Sequence, residues 1–269
     1  MDIRSKDDDL KNFHLWWLGQ SGYLIKWKGN HLMIDPYLSD SLTLKYSNTD
    51  KPHIRLSELI IAPERFNFID LVTSSHNHTD HLDGETLKPL FKVNPNLRMI
   101  IPEANRHFVA DRIEKPANLL IGLNDGESAG VKGFRITGVP AAHNDLERDS
   151  HGNCLYMGYI IQMGKWTIYH SGDTLWHDDV VEALQPYSID LALLPINGNK
   201  LERRVAGNLD YREAVLMAKA INARHVIPCH YDMFSFNTED PENFRKMAVE
   251  NNQRHTVLSI GSHFSSEII

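Results

Sequence analysis

The chain has 269 residues, 42% of them hydrophobic, and a formal net charge of −7. That is enough apolar material for one sizeable core, and the acidic balance argues against a broad nucleic-acid or anionic-membrane footprint, leaving a small molecule as the expected partner. Two cysteines are too few for a disulfide framework, the polar start Met1-Asp2-Ile3-Arg4-Ser5-Lys6 lacks the apolar stretch of a signal peptide, and no run of about 18 apolar residues offers a membrane span, so a cytoplasmic protein is expected, with homo-oligomer formation left open.

Residues 12–18 and 23–27 read as two strands joined by the turn Gly19-Gln20-Ser21-Gly22, and residues 31–34 as a third strand ending in Asp35-Pro36. Residues 38–66 are polar, contain Pro52 and Pro63, and hold one short helical candidate at 56–60; they read as an excursion over a site. The apolar run from Ile69 predicts a buried strand, residues 85–92 a short helix, 98–101 a strand, and 102–113 a helix with proline in its first turn. Strands follow at 119–121, 134–140, 156–163 and 166–170, the last running into Ser171-Gly172-Asp173. A further strand at 189–196 leads to a polar, basic loop, 197–204. Asp210 with Glu213 predicts a capping box, and Ala214, Met217, Ala218 and Ile221 form the apolar face of the helix behind it. The strand at 225–229 delivers His230, with His225 expected at the surface; residues 240–251 predict a final helix and 256–260 a strand closing a sheet edge. Strands alternating with helices make this an α/β (α+β) chain, expected to form one domain over residues 1–269.

Chemistry concentrates where the Ile69 run ends, in His76-Asn77-His78-Thr79-Asp80-His81. If strand geometry persists, His76 and His78 leave the backbone on the same side and can hold one ion together. Asp80 and His81 are adjacent, so the chain must turn there and aim them at a neighbouring position, which makes two ions plausible. The strand-to-helix setting is where open α/β sheets place their sites.

This His-x-His-x-Asp-His motif resembles that of the metallo-β-lactamase superfamily. The resemblance implies a four-layer αββα sandwich and three more ligands at strand ends, positions that His143, Asp173 and His230 fill. It assigns His76, His78 and His143 to one ion, Asp80, His81 and His230 to the other, and Asp173 to both. It further implies hydrolysis by a hydroxide bridging two divalent ions, with Asp80 or Asp173 carrying a proton to the leaving group. The nitrogen and oxygen donors suit Zn, Mn or Fe. Asp35 either orients a ligand histidine or caps the turn before its proline.

Within the superfamily the chain resembles the L-ascorbate-6-phosphate lactonase family, through Trp16-Trp17-Leu18-Gly19, Tyr169-His170-Ser171-Gly172-Asp173, Ile189-Asp190-Leu191-Ala192-Leu193, residues 220–228 and His230-Tyr231-Asp232. That family opens a sugar-acid lactone phosphate using manganese, but His143 departs from its pattern and the substrate does not carry over with it. A lactonase-like hydrolase of a sugar-derived acid is the leading reading; a phosphodiesterase of a nucleotide or phospholipid-type substrate and a non-catalytic metal-binding sensor are the alternatives. Lys200, Arg203 and Arg204 either bind a substrate phosphate or form a solvated loop. Trp176, His177 and Tyr231 either wall the pocket or serve packing.

Overall fold

A strand buried on both faces needs apolar residues at every position, and β1 (His14–Gly19) is built that way. Leu15 and Trp17 point into a core shared with Ile136, Tyr159 and Ile168 of a second sheet, whereas Trp16 and Leu18 belong to a separate core on the opposite face. Each such large side chain taken from water stabilises the fold by roughly 1.5–3 kcal/mol. The computed structural model describes Ile3 and residues 11–269; the rest of the polar start, read above as lacking a signal peptide, lies outside the described residues.

β1, β2 (Gly22–Trp27), β3 (Asn30–Ile34), β4 (Leu71–Thr73), β5 (Arg98–Pro102) and β6 (Leu120–Leu123) make one sheet. β7 (Ser128–Val131), β8 (Phe134–Pro140), β9 (Met157–Met163), β10 (Trp166–His170), β11 (Leu191–Pro195) and β12 (His225–Cys229) make the other, and β13 (His263–Ser265) returns to pair with β1 at the edge of the first. Of the helices, α1 (Ser41–Tyr46) lies on the excursion between β3 and β4, while α2 (Gly84–Val93) and α3 (Arg106–Ile113) bury Leu87, Leu90, Val109 and Ile113 against Trp16, Leu24 and Met99 on the outer face of the first sheet. α4 (Asp178–Leu184), α5 (Tyr211–Ala220) and α6 (Pro241–Glu250) bury Val180, Met217 and Phe244 beside the second. The layers run helix, sheet, sheet, helix, as the superfamily resemblance implies.

β3, β4, β5 and β6 are parallel, as are β10, β11 and β12. Segments leaving the carboxyl ends of β4, β8, β10 and β12 therefore converge at one edge of the two sheets, and each carries one part of the histidine and aspartate set.

Several local expectations are corrected. Residues 56–60 form no helix, because 54–56 are tied in extended form to 233–235 through Leu56 N to Met233 O (2.8 Å) and Ser235 N to Ile54 O (2.9 Å); the helix of the excursion is α1 instead. Pro102 ends β5, and its helix begins as a 3-10 turn before α3. Residues 256–260 are not a strand: His255 makes only an isolated bridge to Val226, and the edge position belongs to β13. β7 and α4 carried too weak a periodicity to be read in advance. The Asp210 capping box forms as expected, with Asp210 accepting from the backbone of Arg212 and Glu213.

Candidate metal centre

Strand geometry stops at Thr73, so His76 and His78 are not brought together by strand alternation. A sharp turn does this instead: the backbone N–H groups of His81 and Leu82 both donate to the His78 carbonyl, at 3.1 and 2.8 Å. The turn rests on a buried carboxylate, Asp35, whose Oδ1 accepts from Ser75 N (2.9 Å) and whose Oδ2 accepts from the Ser75 hydroxyl and from His81 Nδ1 (2.7 Å). Ser75 Oγ also lies 3.0 Å from His76 Nδ1. Asp35 thus contacts both the turn and the ring of a cluster histidine.

Asp173 enters through Gly172, whose positive φ of +60° makes the turn and whose missing side chain lets Ser75 approach: a Cβ there would sit 2.7 Å from the Ser75 Cβ. His143 follows β8 and donates from Nδ1 to the Gly207 carbonyl at 2.9 Å. His230, at φ 66°, follows β12 and donates its backbone N–H to the Gln20 carbonyl at 3.1 Å.

The donor atoms fall into three overlapping groups, each within 4.8 Å: His76, His78 and His143; His76, His81 and Asp173; Asp80, His81 and His230. His143 Nε2 lies 3.2 Å from His78 Nδ1, and Asp173 Oδ2 lies 3.8 Å from His143 Nε2 and 3.7 Å from His230 Nε2. His76 Nε2, His81 Nε2 and Asp173 Oδ1 are buried with no hydrogen-bond partner, and the last two face each other at 3.2 Å. A cation at their meeting point satisfies all three, so these groups are candidate metal-binding clusters.

The electrostatics agree. Burial, with the neighbouring rings, holds His76 well below the ordinary histidine range, and burial lowers His78 and His143. Neutral rings are the form that ligates. Burial alone would raise Asp80 and Asp173, but His81 and His230 outweigh it and hold both carboxyls below the usual range. His81 itself is raised: burial opposes this, and Asp173 and Asp80 overcome it. Positive charge is therefore strongly favoured between these side chains.

The cluster floors a cleft of about 290 Å³. Among the expected substrate residues only Arg204 lines it, and its guanidinium is paired with Asp50. Arg203 is turned inward to the carbonyls of Asn197 and Thr238, and Lys200 pairs with Glu239 at 3.4 Å; neither faces the cleft. Tyr231 is buried against Trp17, its hydroxyl bonded to the Leu258 carbonyl, and Trp176 lies outside the cleft with Nε1 donating to Asp178 at 3.1 Å. His177 caps α4. His225 is buried, not at the surface, because β12 is covered by the 253–256 segment, and its Nε2 meets Thr256 Oγ1 at 2.8 Å. Unforeseen in the sequence are Lys45, Lys51 and His53 in the cleft, and Gln20, whose side-chain amide donates to Asp80 Oδ2 at 3.1 Å. Gln20 sits in the Gly19–Gly22 turn, the only signal that marked it; the lysines lie in a polar stretch that marked nothing.

The family described as beta-lactamase superfamily domain matches residues 14–230. A UPF0173 metal-dependent hydrolase of Methanosarcina mazei is 31% identical over 237 residues, covering 87% of this chain and 89% of that protein. The chain belongs to this family of metal-dependent hydrolases. Among solved structures, the metallo hydrolase Igni18 from Ignicoccus hospitalis is similar with a TM-score of 0.67 at 22% identity, covering 94% of this chain and 98% of that one. The isothiocyanate hydrolase from Delia radicum gut bacteria gives 0.73 at 18% identity, covering 93% and 98%. At these identities the likeness is one of fold. In this UPF0173 family member no helix among the described residues is long and apolar enough to cross a membrane.

Proposed function

We propose that this chain is a dinuclear metal-dependent hydrolase of a small molecule, with His76, His78 and His143 holding one ion, Asp80, His81 and His230 the other, and Asp173 reaching both. The observation that carries the reading is the set of three overlapping donor groups, sharing His76 and His81 and containing buried atoms with no hydrogen-bond partner, at the floor of an open cleft. When bound, divalent ions supply activation of water and polarisation of the electrophile. The chain's own residues do the rest. Asp35 and the Gly207 carbonyl accept the second ring proton of His81 and His143, fixing each Nε2 toward the centre. Gln20 donates to Asp80 Oδ2, the oxygen that also faces His81 Nε2 at 3.8 Å and His230 Nε2 at 3.6 Å, and so steadies that carboxylate against the cluster. Asp80, its side chain 16% exposed against 5% for Asp173, is the carboxylate better placed to pass a proton to a leaving group in the cleft.

For the bond broken, the reading is a lactone or related ester of a sugar-derived acid, and what supports it is the resemblance of the stretches around Trp16, Asp173 and His230 to the lactonase family. Protein reconstituted in turn with Zn, Mn and Fe is assayed on lactones, on bis-nitrophenyl phosphate and on an isothiocyanate. Lactone opening that is lost on chelation supports the assignment; turnover of the phosphodiester or isothiocyanate alone replaces the bond class while keeping the centre. Full activity with both metals retained in Asp80→Asn removes Asp80 from proton transfer.

A further inference from the structure

The chain is acidic overall, yet the mouth of the cleft is not. Lys45, Lys51 and Arg204 line it, and among the described lining residues the only carboxylates are Asp80 and Asp173 of the floor. Lys45 Nζ donates to Thr79 Oγ1 at 3.2 Å, which puts an exposed ammonium directly above the turn between His78 and Asp80. Lys51 Nζ donates to the Arg204 carbonyl, tying the 41–53 excursion to the loop on the far side of the mouth. Among the described residues neither ammonium has a carboxylate partner within ion-pair distance, whereas the Arg204 guanidinium has Asp50. Beside them Tyr46 and His53 stack at 4.5 Å, offering an aromatic wall.

We infer that the cleft selects an organic anion: the substrate carries a carboxylate or phosphate held by Lys45 and Lys51 at the mouth while its reacting bond lies over the histidine and aspartate floor. The hydrolytic role of the floor rests on the proposed function; the anion site rests on the lysines alone. A local reversal of charge of this kind raises the capture rate of anions and fixes their orientation. The cations implicated are those of the excursion, not Lys200 and Arg203, because only the former face the cleft.

The test uses metal-loaded full-length protein and its Lys45→Met and Lys51→Met variants, matched in metal content and circular dichroism. Calorimetry measures binding of glutarate and of methyl phosphate, and kinetics compare γ-butyrolactone with its ring-carboxylate derivative. Loss of a charge-assisted contact weakens binding roughly tenfold or more, so at least one anion binds that much more weakly to Lys45→Met, and the kcat/KM ratio of anionic over neutral lactone falls by a similar factor. Which anion responds distinguishes a carboxylate from a phosphate substrate. Anion binding equal in all three proteins overturns the inference even where lactones are hydrolysed. Weaker anion binding in the variants of a protein that hydrolyses nothing upholds the anion site and overturns the hydrolase reading instead.

Discussion

Asp35 and His81, 46 residues apart in the chain, meet as a fully buried pair with the carboxylate Oδ2 2.7 Å from the ring Nδ1. The same carboxylate takes Ser75 by both its backbone and its hydroxyl, so one acidic side chain on the loop after β3 fixes the whole turn that carries His76, His78, Asp80 and His81. Partners of this kind hold ring orientation and raise ligand basicity, and their removal costs about 10–100-fold in metal affinity. Asp35→Ala is expected to lower affinity by that factor in a competition titration with a chromogenic chelator. Affinity unchanged from the parent protein would reduce Asp35 to a turn residue.

Gly172 is expected to tolerate no side chain. At φ +60°, Ala costs about 1–2 kcal/mol in backbone conformation alone, and its Cβ would lie 2.7 Å from the Ser75 Cβ and 2.8 Å from the Met157 carbonyl. Gly172→Ala therefore lowers the urea midpoint and, by displacing Asp173, metal content as well. An unshifted midpoint contradicts this.

A buried histidine away from the metal cluster makes the fold acid-sensitive. His225 is pushed down to about 4 by burial, with Arg254 and His255 adding, against an ordinary value of 6.5. Between these values the unfolded chain binds a proton that the native state refuses. Stability is therefore complete above pH 6.5 and falls as pH drops toward 4, by up to about 3 kcal/mol. His225→Gln, which cannot take up the proton, flattens this slope relative to the parent chain in urea melts between pH 7 and 4; parallel slopes would remove His225 as the cause.

The parts of the fold legible in sequence were those whose signal is local. The α5 capping box, the apolar runs of β1, β11 and β12, and the donor residues at strand ends all announce themselves within a few positions. What escaped depends on distant partners. Residues 56–60 look helical, but 54–56 are held extended by 233–235; the chain after α6 meets the backbone of β12 through 254–256, and β13 closes the edge of the other sheet through its register with β1. Within the cleft, the basic loop 200–204 had the right composition, but Arg203 spends its guanidinium on the carbonyls of Asn197 and Thr238. Lys45 and Lys51 face the site only because the excursion folds back over it, and Gln20 reaches Asp80 only because the β1–β2 turn abuts β12.

Metal stoichiometry bears most directly on the dinuclear centre. Full-length protein purified without chelator or added metal is subjected to elemental analysis beside a His76→Ala, Asp173→Ala double variant, with folding of both checked by circular dichroism. About two Zn, Mn or Fe ions per chain are expected in the parent, as a paired hydrolytic site requires, and most of that metal is lost in the folded variant. Protein that is folded, free of metal and unable to take up any of the three ions would contradict the assignment of the seven ligands and the hydrolase built on them.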